Sequence, residues 1–144
     1  MTNCLTLIFS IGVIFGSLLA GVTNPKYSLI GASAGCTALV LTHVADVIIN
    51  GDIMDHEVIV IRLAILTPML ILCLFDAVSA STEISDFTSY FAHLGGSFTG
   101  LFFGVGCMKN FQKESWKRTM YWCFLGVFVL GFLVVLVMNL VKSF

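Results

Sequence analysis

Charged residues are scarce in this sequence. They make up 10 % of its 144 residues, whereas a soluble domain carries roughly 25 %. Hydrophobic residues make up 58 %, and 13 of them are phenylalanine. The net charge of −1 argues against nucleic acid as a partner, because surfaces that bind nucleic acid are strongly basic. The composition therefore predicts an integral membrane protein that works in the lipid bilayer.

The spacings that mark metal sites and disulfide frameworks are also lacking. No two of the five cysteines have Cys-x-x-Cys spacing, and each lies in or beside an apolar run. Cysteines of this kind are mostly small apolar fillers. We therefore expect neither a metal site nor a disulfide framework. The five are Cys4, Cys36, Cys73, Cys107 and Cys123.

Five apolar segments each approach the roughly 20 residues that a membrane-spanning helix needs. They predict an all-α, polytopic helical bundle with about five transmembrane helices, in a single domain over residues 1–144. The first segment has no lysine or arginine before it, so a signal peptide, which begins with basic residues, is disfavoured. Gly12 and Gly16 instead favour close helix packing. The predicted helices are about Cys4–Val22, Ser33–Asn50, Ile59–Ala80, Thr88–Met108 and Thr119–Val141.

The basic residues orient this bundle, because cytosolic connections carry an excess of lysine and arginine. Four lie between the fourth and fifth segments, and Arg62 follows the second connection. The opposite face has only Lys26 and Lys142. The N-terminus and the connection before Arg62 are therefore predicted to be cytosolic. The four residues are Lys109, Lys113, Lys117 and Arg118.

One serine and one histidine are predicted to share a membrane depth. Ser33 begins the second segment and His93 lies near the start of the fourth, and these two helices run in the same direction. Both residues should therefore lie at the extracytosolic face. His43 is about 15 Å along the helix of Ser33, and His56 should lie in a cytosolic connection. His93 is thus the only histidine that could take the serine's proton, which a hydroxyl nucleophile requires.

Small residues surround both positions. Gly31 and Gly35 should let backbone approach Ser33, and the helix N-terminus that includes Ala34 would direct N–H groups at an oxyanion. Gly96, Gly100 and Gly104 form a bare stripe that favours close approach of the fourth helix to a neighbour. The residues alone leave three other interpretations open. The stripe could serve packing only, the serine could bond its own backbone, and the histidine could lie at the membrane boundary.

Three segments resemble the rhomboid intramembrane serine proteases. Gly31–Gly35 (GASAG) looks like their G-x-S-G serine motif. Ala92–Gly104 (AHLGGSFTGLFFG) looks like their A-H-x-G-G-x-x-x-G-x-x-x-G histidine helix. Thr42–Asn50 (THVADVIIN) resembles the A-H-L-A-N-x-x-x-N tail of the serine helix in animal members.

The resemblance implies a Ser–His dyad that works without a third acid. Ser33 would be the nucleophile and His93 the general base. The substrates would be the transmembrane segments of single-pass membrane proteins, cut without metal or cofactor. A secretory-pathway or plasma-membrane location is expected. Asp46 should face the bundle near its cytosolic end, and Asp76 should have a structural or gating role.

Three departures from the family pattern qualify this expectation. The two helices that precede the matching part in the family, the second with an H-x-x-x-N motif, have no counterpart in these residues. The long first loop with its Trp-Arg motif has none either. Thr37 stands where a tyrosine usually stacks on the histidine. The sequence therefore looks like the last five helices of a "six plus one" rhomboid, either a weak protease or a non-catalytic binder of transmembrane clients.

Overall fold

The computed structural model describes residues 2–23, 32–82, 90–107 and 115–143. Within these residues the chain is helical and contains no strand. The all-α helical bundle is therefore confirmed. Its elements are α1 (Thr2–Thr23), α2 (Ser33–Asn50), α3 (His56–Thr82), α4 (Tyr90–Phe98), a π-helical segment (Thr99–Phe103), α5 (Gly104–Cys107) and α6 (Ser115–Ser143).

α3 and α6 begin three and four residues earlier than predicted. His56, expected in a connection, is the first residue of α3. Lys117 and Arg118 lie in the first turn of α6 rather than in the connection before it. Apolar length measures only the part of a helix inside the hydrocarbon, and a helix can continue into the polar interface. The predicted helices were therefore too short at these ends.

The predicted fourth helix is not a uniform α-helix. α4 passes through the π-helical segment into α5, with helical backbone angles at both junction residues, Phe98 and Gly104. Three helical stretches have the length and apolarity to cross a membrane, among the residues that the structure describes. These are Asn3–Thr23, Ser33–Asn50 and Ser115–Lys142. The full count of five crossings stays a prediction.

Small residues bring α1, α2 and α4 together. A Cβ added at Gly16 of α1 would lie 2.7 Å from the Cβ of Ala34 and 2.6 Å from the carbonyl oxygen of Ala92. A Cβ added at Gly95 would lie 2.7 Å from the Cα of Gly16. Lipid is as apolar as these helices, so their association depends on such close packing. The tight packing predicted for the first helix is confirmed.

Polar contacts fasten α6 to the bundle at both ends. At one end the ammonium of Lys117, whose side chain is 0 % exposed, bonds both carboxylate oxygens of Asp52 at 2.8 and 2.9 Å. These hydrogen bonds lower the pKa of the Asp52 carboxyl below its usual 3.8. At the other end Asn139 donates to the carbonyl of Leu18 at 2.9 Å, and Lys142 donates to the carbonyl of Val22. A cation near the carbonyl end of α1 also favours its helix dipole.

Candidate active site

Ser33 and His93 lie side by side at one end of the bundle. Ser33 is the first residue of α2 and His93 lies in the first turn of α4. The Nε2 atom of His93 is 3.0 Å from the Oγ atom of Ser33. In the tautomer that carries its proton on Nδ1, the hydroxyl donates to Nε2. A serine within hydrogen-bond reach of an imidazole is the arrangement that general-base activation needs.

The glycine stripe of the histidine helix lies against α2. A Cβ added at Gly100 would lie 2.9 Å from the Cα of Ala38, and one at Gly104 would lie 2.8 Å from the hydroxyl of Thr42. A Cβ at Gly96 would meet the carbonyl of Ala34. Only glycine permits this approach, and the neighbour of the stripe is α2. The approach carries His93 to the depth of Ser33.

Two buried threonines bridge the same pair of helices. The hydroxyl of Thr37 is 2.9 Å from the carbonyl of Ala34 on its own helix and 3.3 Å from the carbonyl of His93. That of Thr42 is 2.8 Å from the carbonyl of Ala38 and 3.2 Å from that of Gly100. Thr37 thus touches the backbone of His93, where the sequence comparison suggested only a missing ring. The sequence feature that could have revealed these bridges is a pair of threonines on the helix that faces the glycine stripe.

Some residues around Ser33 allow the helices to pack closely, and others offer backbone N–H groups to an oxyanion. A Cβ at Gly35 would lie 2.6 Å from the ring of Phe9, so the absence of a side chain at this position lets α1 pack against α2. The N–H groups of Gly35 and Cys36 donate to the carbonyl of Ala32 at 3.0 and 3.2 Å. Among the described residues in the first turn of α2, the N–H groups of Ser33 and Ala34 are therefore the candidate backbone donors to an oxyanion. Gly31, also predicted near the site, lies outside the described residues.

The acidic residues with described side chains lie away from His93. Asp46 pairs with Arg62 of α3 at 2.5 Å and accepts a bond from Asn50 at 2.8 Å, near the far end of α2. It therefore ties α2 to α3. The side chain of Asp76 lies outside the described residues. Within the described residues, no three His, Cys, Asp or Glu side chains form a group that could hold a metal ion.

Comparison with known proteins identifies the family of this chain. The family model of the Rhomboid domain matches residues 2–110, which include both Ser33 and His93. The chain belongs to the rhomboid family. In this rhomboid α6 lies beyond the matched region, although its polar contacts fasten it to matched helices.

Several curated rhomboids are similar to nearly the whole chain. Rhomboid-related protein 1 of Caenorhabditis elegans is 32 % identical over 94 % of this chain and 38 % of its own length. Human rhomboid-related protein 3 is 27 % identical over 85 % of this chain and 31 % of its own. Inactive rhomboid-related protein 2 of C. elegans is 23 % identical over 95 % of this chain and 39 % of its own. The chain thus spans less than half of each, and no solved structure matches it.

Proposed function

We propose that this rhomboid is an intramembrane serine endopeptidase that cleaves transmembrane segments of single-pass membrane proteins. The observation that carries the proposal is the 3.0 Å contact between Oγ of Ser33 and Nε2 of His93. Both residues lie at helix N-termini, at the end of the bundle that charge counting assigns to the extracytosolic side. Water and an unwound substrate segment meet more readily there than in mid-membrane. A multi-pass position in the secretory pathway or plasma membrane belongs to the same proposal.

The reaction would be acyl transfer in two halves. Ser33 Oγ attacks the scissile carbonyl while His93 Nε2 takes its proton. His93 then protonates the leaving amine, the peptide C–N bond breaks and an ester to Ser33 remains. Water attacks the ester, His93 again takes the proton and returns it to Ser33, and a free carboxyl is released. Backbone N–H groups at the start of α2 would stabilise the oxyanion in both halves.

A second candidate is a non-catalytic binder of transmembrane clients. Thr37 favours it, because its hydroxyl contacts the backbone of His93 and offers no ring to hold the imidazole. The similarity to a relative named inactive is consistent with it. The two candidates differ in whether Ser33 reacts as a nucleophile.

A fluorophosphonate probe that labels activated serines tests this difference. The protein is reconstituted in liposomes, labelled, and compared with Ser33→Ala and His93→Ala. Ser10→Ala is the matched control, because Ser10 is an exposed serine whose hydroxyl bonds only within α1, to the carbonyl of Thr6. We expect both site variants to lose labelling and cleavage of a co-reconstituted substrate, and the control to keep both. Client capture without labelling would favour the binder, and labelling that survives Ser33→Ala would contradict the protease.

A further inference from the structure

Two cysteine thiols meet at the end of the bundle opposite Ser33. Cys4 lies in the first turn of α1 and Cys107 is the last residue of α5. The thiol of Cys4 donates to the backbone carbonyl of Cys107 at 3.1 Å, across 103 positions of sequence. Both side chains are half-buried.

We propose that Cys4 and Cys107 form a redox-active dithiol, a modification site for small disulfide oxidants. The thiolate of one cysteine attacks a sulfur of the oxidant and displaces the first small thiol. The second cysteine then attacks the mixed disulfide and displaces the second small thiol. The pair loses two electrons and two protons, and one oxidant molecule becomes two thiols.

The geometry makes this pair distinct from the other described cysteines. A disulfide requires Cα atoms within about 7 Å and sulfurs at about 2.05 Å. The bond from the Cys4 thiol to the Cys107 carbonyl already sets one sulfur beside the other residue's backbone. The other two cysteines with described side chains, Cys36 on α2 and Cys123 on α6, are exposed. Among the described cysteines, Cys4 and Cys107 are thus a pair that the fold brings into direct contact.

The disulfide would join α1 to α5. α5 continues α4 through the π-helical segment, and α4 already touches α1 through Gly95 and Gly16, so the bond would add a covalent tie near an existing interface. The closed loop would contain both Ser33 and His93, and a loop of this length strongly restricts the unfolded chain. We expect oxidation to raise the melting temperature by at least about 5 °C. By the predicted orientation this end faces the cytosol, where disulfides are usually transient.

The test uses the full chain with Cys36, Cys73 and Cys123 replaced by serine. The purified protein is equilibrated with glutathione buffers of increasing oxidised fraction, and free thiols are counted with a maleimide-linked polymer. We expect two free thiols under reducing conditions and none under oxidising ones, in a monomer. The mass should fall by two hydrogen atoms with no retained glutathione.

The matched control keeps Cys4 and Cys123 and replaces the other three cysteines with serine. It should form no intramolecular disulfide. Two maleimide-reactive thiols in the Cys4–Cys107 protein under the most oxidising buffer would overturn the proposal, as would equal oxidation of the control pair. If a cysteine variant fails to fold, the proposal can still be tested by peptide mapping of the oxidised protein that retains all five native cysteines. A Cys4–Cys107 cross-linked peptide is expected there, and its absence counts against the dithiol.

Discussion

Replacing Gly100 by alanine should separate the histidine helix from α2. Gly100 is buried, and the added Cβ would stand 2.9 Å from the Cα of Ala38 and nearer still to its carbonyl oxygen. These are backbone atoms, so no side-chain rotation can relieve the clash. The helices must move apart, and the bond from Thr42 to the carbonyl of Gly100 should lengthen or break.

The magnitude follows from three opposing contributions. Alanine is favoured over glycine in a helix by about 1 kcal/mol. Overpacking a tight contact costs about 1–3 kcal/mol, and losing an interhelical hydrogen bond in a membrane costs about 0.6 kcal/mol. The sum is a net destabilisation of about 0.6–2.6 kcal/mol. Gly100→Leu should cost more and disable the site, because a branched side chain would have to enter the same contact.

Gly126 of α6 offers a matched control, because an added Cβ would meet nothing within 4 Å. Gly126→Ala should therefore be neutral or slightly stabilising. Unfolding free energies of both variants can be measured by steric trapping in bicelles, with fluorophosphonate labelling as the readout of the site. A Gly100→Ala protein as stable and as reactive as Gly126→Ala would refute the close approach of the two helices.

Two further outcomes are expected. Thr37→Val should destabilise the bundle by about 0.6–1.7 kcal/mol and slow probe labelling, because the bridge to the carbonyl of His93 is lost. Thr67→Val, which removes an exposed hydroxyl bonded within its own helix, should change neither quantity, and equal effects of the two would contradict the bridge. Asp52→Asn should lower thermal stability at neutral pH. Because Lys117 lowers the pKa of Asp52 in the folded protein, this difference should persist above pH 3.8 and shrink as the pH falls below it. A difference that does not depend on pH would refute the ion pair.

The helical bundle and the shared depth of Ser33 and His93 were predictable because both follow from chain order. Apolar length places each residue near the start of a segment, and the number of segments between them fixes which face each occupies. The glycine stripe was equally visible, since a spacing of four places Gly96, Gly100 and Gly104 on one side of a helix. These arguments need depth and periodicity only.

Features that depend on the rotation and exact approach of helices were not predictable. The π-helical segment begins at Thr99, and nothing in its sequence separates it from ordinary apolar helix. Lys117 was counted as a charge in a cytosolic connection, yet its side chain is fully buried against Asp52. Spacing and apolar context predict that Cys4 and Cys107 are fillers, since their proximity arises only when α1 and α5 are assembled. Tertiary contacts decide each of these cases.

The alignment of Ser33 with His93 depends on α1 as much as on α2 and α4. Gly16 of α1 faces Ala34, next to the serine, and also Ala92, next to the histidine. One helix thus supports both halves of the site from the same side. The end of α1 is in turn held by Asn139 and Lys142 of α6, which lies outside the matched domain. Since a displacement of about 1 Å can cost about 10²-fold in rate, α6 can contribute to the site without touching either residue.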